Sequence, residues 1–168
     1  MNSANLQIAI DNLQIQDVYL RDCLARCVGD FDPKYYADYS RLTVQFLHVV
    51  KQSAVMEQDG DGRLLRVFVD MGARWADLTE SDDERSVRAL IEATFVAEYR
   101  MTGELDQACI DEFALKNASY HIWPYWRELL ANQCLRMHLP RLILPAVQLA
   151  HNRHENLPEP SQEQKSST

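Results

Sequence analysis

The stretch that decides the fold runs from residue 87 to residue 101, "VRALIEATFVAEYRM". Val87, Ala89, Ile91, Ala93, Phe95, Ala97, Tyr99 and Met101 fall on one face, and Arg88, Glu92, Thr94, Glu98 and Arg100 on the other. A period of two kept up over this length describes a β-strand with one buried side. Upstream, "LLRVFVDMGARW" (64–75) reads as a strand, and "QDGDGR" (58–63) before it places Asp-Gly twice between β-rich runs. Glycine supplies the positive φ that a tight turn needs, so this is a hairpin. Leu42, Val44, Phe46, His48 and Val50 alternate with Arg41, Thr43, Gln45, Leu47 and Val49, giving one apolar and one mixed face. "LQIQDVYL" (13–20) begins with alternation and loses it after Asp17. Hairpin-length links leave no room for crossover helices, so the sheet is antiparallel. "DLTESDDERS" (77–86) reads as an acidic, exposed loop.

The second half turns helical. Leu105, Cys109, Ile110, Phe113 and Ala114 are spaced for one helix. Pro124 is expected to open the next, because proline is tolerated in a first turn. There Trp126, Leu129, Leu130, Gln133, Cys134 and Met137 form a single stripe. Pro140 stops the helix, "RLILP" (141–145) is extended, and "AVQLAHNRHE" (146–155) suits a short last helix. The expected architecture is α+β: a four-stranded antiparallel sheet with C-terminal helices on one face. One domain spans 1–155, and 156–168 is a polar, disordered tail.

Charge and composition narrow the function classes. A formal net charge of −8 argues against nucleic acid and anionic membranes as partners. No apolar run reaches membrane-spanning length, and the first residues lack the basic start of a signal peptide. The expected location is the cytoplasm, with Cys23, Cys27, Cys109 and Cys134 as reduced thiols. No nucleotide-binding, zinc-protease or serine-hydrolase motif occurs. His151 and His154 share a spacing that suits a metal, but more ligands would be needed. Cys23 and Cys27 are expected to be ordinary buried thiols, and "ESDDE" (80–84) lacks the ligand spacing and glycine of a calcium loop. No metal, cofactor or enzymatic activity is expected. One feature points to binding: "RCVGDFDPKYYADYS" (26–40) puts Phe31, Tyr35, Tyr36 and Tyr39 in the connection between the first two strands. Such aromatics either cover the domain's own core or line a groove.

The segment "NASYHIWPYWRELLANQCLRMHLPRLILPAVQL" (117–149) resembles the C-terminal half of the SecB family of protein-export chaperones. Trp123, Pro124, Tyr125, Arg127, Glu128, Pro140, Leu142 and Leu144 carry the likeness, and Gln14, Ile15, Gln16, Tyr19 and Asp22 match that family's opening strand. The likeness spans Leu13 to Leu149. It implies an ATP-independent holdase that covers apolar segments of unfolded clients. The implied client-binding residues are Phe31, Tyr35, Tyr36, Tyr39, Leu142, Leu144 and Val147. It also implies a homotetramer with Trp126, Leu130, Cys134 and Met137 at subunit contacts. Family members deliver clients to the SecA motor through acids on the outer sheet face. Asp22 fits one such position, the next falls on Arg26, and the third-strand position falls near Phe68. Those departures favour a dedicated client, such as the antitoxin of a toxin–antitoxin–chaperone system, over general export.

Overall fold

The structure, a computed structural model of the 168-residue chain, describes residues 3–60, 62–79 and 86–145. The strands β1 (Leu13–Cys27), β2 (Leu42–Glu57), β3 (Arg63–Asp77) and β4 (Val87–Met101) form one antiparallel sheet in the order β1-β4-β3-β2. The expected hairpin joins β2 to β3: Gln58 N–H donates to Gly62 O at 2.7 Å, and Gly60 has φ 78°. The helices are α1 (Ala4–Asn12), α2 (Gln107–Lys116) and α3 (Ala118–Arg136). The α+β class and the antiparallel sheet are as the alternation implies. The expected last helix, Val147, His151, His154 and the acidic run 80–84 lie outside the described residues.

Bulges explain where the sequence pattern faltered. In β1 the pairing skips Gln16 and Arg21, and in β2 it skips Lys51. Each extra residue moves the following side chains by one place. Leu13 and Ile15, then Val18 and Leu20, then Cys23 and Ala25 therefore share the face that carries Ile91, Phe95 and Tyr99. Alternation after Asp17 is intact but out of phase.

The core lies between that face and the helices. Leu65, Val67, Val69, Met71 and Trp75 of β3 and the odd-numbered residues 89–101 of β4 meet Ile110 and Phe113 of α2 and Ile122, Trp126 and Leu130 of α3. Asp106 caps α2 by accepting the Cys109 N–H at 2.9 Å, and Ser3 caps α1. The helix α1 had no counterpart in the sequence reading.

Pro124 does not open a helix. It lies inside α3, whose helical turns begin at Ala118. Proline has no N–H for the Tyr120 carbonyl, so residues 118–123 need other support. They get it from the sheet: His48 Nε2 lies 2.7 Å from Ser119 Oγ, and the Tyr99 hydroxyl lies 2.9 Å from His121 Nδ1. The far end of α3 closes in a Schellman turn. Leu139 N–H donates to Cys134 O at 2.9 Å, and His138 takes φ 56°.

Strands of 15 residues run about 50 Å, whereas the 19 residues of α3 run about 28 Å. The helices therefore leave part of the sheet bare. Ile15, Leu20, Phe46 and Val55, all on the helix side of the edge strands, are exposed.

Candidate functional site

The connection from β1 to β2 builds the largest concavity among the clefts described. Gly29, at φ 60°, turns the chain out of β1, and a 3-10 turn (Tyr39–Arg41) leads it into β2. Between them Phe31 meets Tyr36 edge-on at 4.9 Å, and Tyr36 meets Tyr39 at 5.3 Å. The Tyr39 hydroxyl donates to Pro33 O and also lies 3.5 Å from His138 O, at the end of α3. Phe31 packs on the core, whereas Tyr35 is 76% exposed with the Lys34 ammonium 5.5 Å from its ring centre. The four aromatics therefore divide: one anchors, two form a wall, one reaches into solvent.

Phe31, Tyr35 and Tyr36 line a cleft of about 940 Å³ together with Val28, Asp30, Asp32, Arg41, Asp77 and Arg88, and Tyr39 backs Tyr36 from outside it. Asp77 is the buried acid of the site. It accepts from the Thr79 hydroxyl at 2.6 Å and pairs with Arg41 at 3.2 Å. The Thr79 hydrogen bonds, then the Arg41 and Arg88 guanidiniums, hold its carboxyl below the usual range. Two guanidiniums thus offset the Asp77 charge at the floor, and the rim carries the exposed acids Asp30 and Asp32. Such a cleft takes apolar or aromatic side chains and favours basic neighbours at its edge. Arg41, Asp77 and Arg88 were not singled out in the sequence, since no local pattern marks an ion pair formed between distant strand ends.

After α3 the chain turns back along the helix as a strap, residues 139–145. The Leu142 N–H points at the Cys134 sulfur, and Trp123 Nε1 donates to Pro145 O at 2.9 Å. Leu144 is 9% exposed and Leu142 is half-buried, whereas Ile143 between them is 78% exposed. Leu142 and Leu144 thus face the protein rather than open solvent.

Of the stripe expected at subunit contacts, three side chains are buried within the single chain. Trp126, Leu130 and Cys134 are each 1% exposed within a single chain. They fill the chain's own core and have no surface left for a partner. Only Met137, half-buried, keeps free surface. The outward side of α3 instead presents Tyr125 and Leu135. Cys23 and Cys27 also differ from expectation: both thiols are exposed. Four residues apart on one strand, they stand about 13 Å from each other, too far for a disulfide.

On the opposite sheet face Asp22, Thr94 and Asp70 form one row across β1, β4 and β3. Asp70 accepts from Thr94 at 2.6 Å and pairs with Lys51 at 3.4 Å. Asp22, Asp70 and Glu92 line a hollow of about 230 Å³ with Leu24 and Leu47. Asp70 lies on β3 two residues beyond Phe68 and on the same face. Phe68 itself is covered by Arg66 and Arg21. Among the described residues no three His, Cys, Asp or Glu side chains converge to hold a metal ion, and no helix is long and apolar enough to cross a membrane.

No family model and no curated protein sequence matches the chain. Its fold does match a solved structure, that of the Mycobacterium tuberculosis SecB-like chaperone Rv1957 in complex with a ChAD peptide from the HigA1 antitoxin Rv1956. The two share 17% identity at a TM-score of 0.67, over 88% of this chain and 99% of that one. By its architecture, this chain has the fold of a SecB-like chaperone.

Proposed function

We propose that this protein is an ATP-independent holdase for an aggregation-prone client, and that the client is a dedicated partner such as an antitoxin. The observation that carries this reading is the aromatic-walled cleft beside exposed Tyr35. Shallow aromatic surfaces accept many apolar side chains without strict sequence. The neighbour's antitoxin peptide supports the choice of client. Phe31, Tyr35, Tyr36 and Tyr39 form one half of the client surface, and Leu142, Leu144 and Val147 the other. The exposed apolar side chains of the edge strands and of the outward side of α3 favour a homo-oligomer, a tetramer by the family likeness, joined through Met137, Leu135 and Tyr125. Several clefts in one assembly add avidity to weak contacts.

The test is suppression of aggregation of an unfolded client by the purified chain. Tyr35→Ala is expected to raise the concentration needed for half-suppression about fivefold, equivalent to about 1 kcal/mol. Unchanged suppression would remove the cleft from the site. Affinity capture from the host then separates one adjacent small protein from many secretory precursors.

A second reading is export delivery to SecA, which the acids Asp22, Asp70 and Glu92 on the outer face favour. A salt-sensitive complex with purified SecA, lost in Asp22→Asn with Asp70→Asn, would support it.

A further inference from the structure

The strap 139–145 occupies the groove beside α3 with its own side chains. Leu139 and Leu144 are buried there and Leu142 packs on the core, so a client meets Leu142 and Leu144, and the groove they fill, only if the strap lifts. Its far end is tied to Trp123, in the part of α3 that precedes Pro124. That part is bounded by Asn117, whose side chain makes no capping bond, and by a proline that gives no backbone donor. Ala118 and Ile122 pack it on the core, and its side-chain hydrogen bonds to the sheet are His48–Ser119 and Tyr99–His121.

We propose that the Tyr99–His121 contact is a pH-sensitive latch: protonation of His121 loosens the start of α3, frees the strap through Trp123, and opens the groove to an apolar client segment. The client in this statement rests on the holdase reading; the latch does not.

Tyr99 is fully buried and its ring meets Phe113 edge-on at 4.9 Å. A buried hydroxyl needs an acceptor, and His121 Nδ1 is the partner in reach, so the neutral ring accepts from it. An imidazolium carries a proton on both nitrogens and strands the hydroxyl proton. The titratable groups facing this end of the helix are Tyr99 from β4 and, through Ser119, His48 from β2; α2 contributes the uncharged Phe113. Among the described residues no charged side chain offsets the new charge, and burial holds the His121 basicity below its usual 6.5.

The thiols supply the assay. Cys134 lies under the strap, Cys109 is buried on the inner face of α2, and Cys23 is exposed. The full chain is treated with 4,4′-dithiodipyridine, and modification of each cysteine is followed by peptide mass spectrometry. The Cys134-to-Cys23 rate ratio cancels the effect of pH on thiol chemistry. Between about pH 7.5 and about pH 5.5 it is expected to rise about tenfold, while the Cys109-to-Cys23 ratio stays level. His121→Gln keeps an acceptor for Tyr99 without titrating, so its ratio should be flat; His48→Gln should keep the rise. Trp123→Phe removes the tie to Pro145 and should raise the ratio severalfold at neutral pH even if the His121 variant does not fold. A flat wild-type ratio, an equal rise in His121→Gln, a parallel opening of Cys109, or no change in Trp123→Phe would each overturn the latch. Aggregation suppression in the same samples separates the two readings. A ratio that moves without client capture sinks the holdase and leaves the latch, and capture with a flat ratio does the reverse.

Discussion

Replacing Leu130 by Ala tests whether the stripe of α3 belongs to the chain's own core. Leu130 is 1% exposed and shares its face with Trp126 and Cys134. Truncation removes buried methyl groups and leaves a cavity that the sheet beneath can only partly fill. The expected cost is about 2–5 kcal/mol. A domain of this kind has about 5–15 kcal/mol in total, so the loss is a large share. Leu135, one residue beyond Cys134 and 78% exposed, is the control. Leu135→Ala should change the stability of the chain by less than about 0.5 kcal/mol. Urea unfolding followed by tryptophan fluorescence, at protomer concentrations tenfold apart, reads both effects. Leu130→Ala should lower the midpoint equally at both concentrations. Leu135→Ala should matter only through any association that makes the midpoint concentration-dependent. If Leu130→Ala dissociated the oligomer but left the unfolding of dilute chains unchanged, the stripe would be an interface and the packing argument would be wrong.

Gly103→Ala should cost about 1 kcal/mol, because the added Cβ would collide with the Asn12 amide oxygen and break the Asn12 Nδ2 bond to Ile8 O. A fall in Tm of about 2–4 °C would register it. His138→Gly should raise stability by about 0.5–1 kcal/mol, since a residue at φ 56° in a Schellman turn is relieved by glycine; an unchanged urea midpoint would contradict this. Stability should fall with pH in two steps. The folded His121 has a lowered pKa, so the unfolded chain binds more protons, and stability declines as pH drops below 6.5 until the folded value is passed. Asp77 and Asp106 also have lowered folded values, so their contribution is present above 3.8 and lost as pH falls through those values. Urea midpoints against pH should show both declines, with the upper one absent in His121→Gln.

Much of the sheet was legible because alternation is a local property. β4 runs Val87–Met101 as the pattern says, and the Asp-Gly turn names its own hairpin. What escaped was set at a distance. The start of α3 contains Ser119, His121 and a proline, which is a poor local recipe for a helix, yet His48 and Tyr99 hold it from the sheet. The aromatic loop was visible as a cluster of rings, but its division into anchor, wall and exposed Tyr35 depends on which ring reaches the core. Arg41, Asp77 and Arg88 come from the turn before β2, the end of β3 and the start of β4, and nothing in the order of residues announces that they meet. Burial of Trp126, Leu130 and Cys134 was ambiguous because a helix stripe reads the same whether a sheet or a second copy covers it.

The bulged edge strands affect how relatives can be recognised. Deleting Gln16, Arg21 or Lys51 would smooth a strand without sending any apolar side chain to the wrong side, whereas a deletion in a regular stretch far from a bulge would turn every residue beyond it to the other face. These three positions are therefore where the loss of one residue is tolerated inside the strands. A homologous strand without the bulge would spell the same two faces in a shifted reading frame. Letter-by-letter comparison loses step there, and superposition of backbones does not.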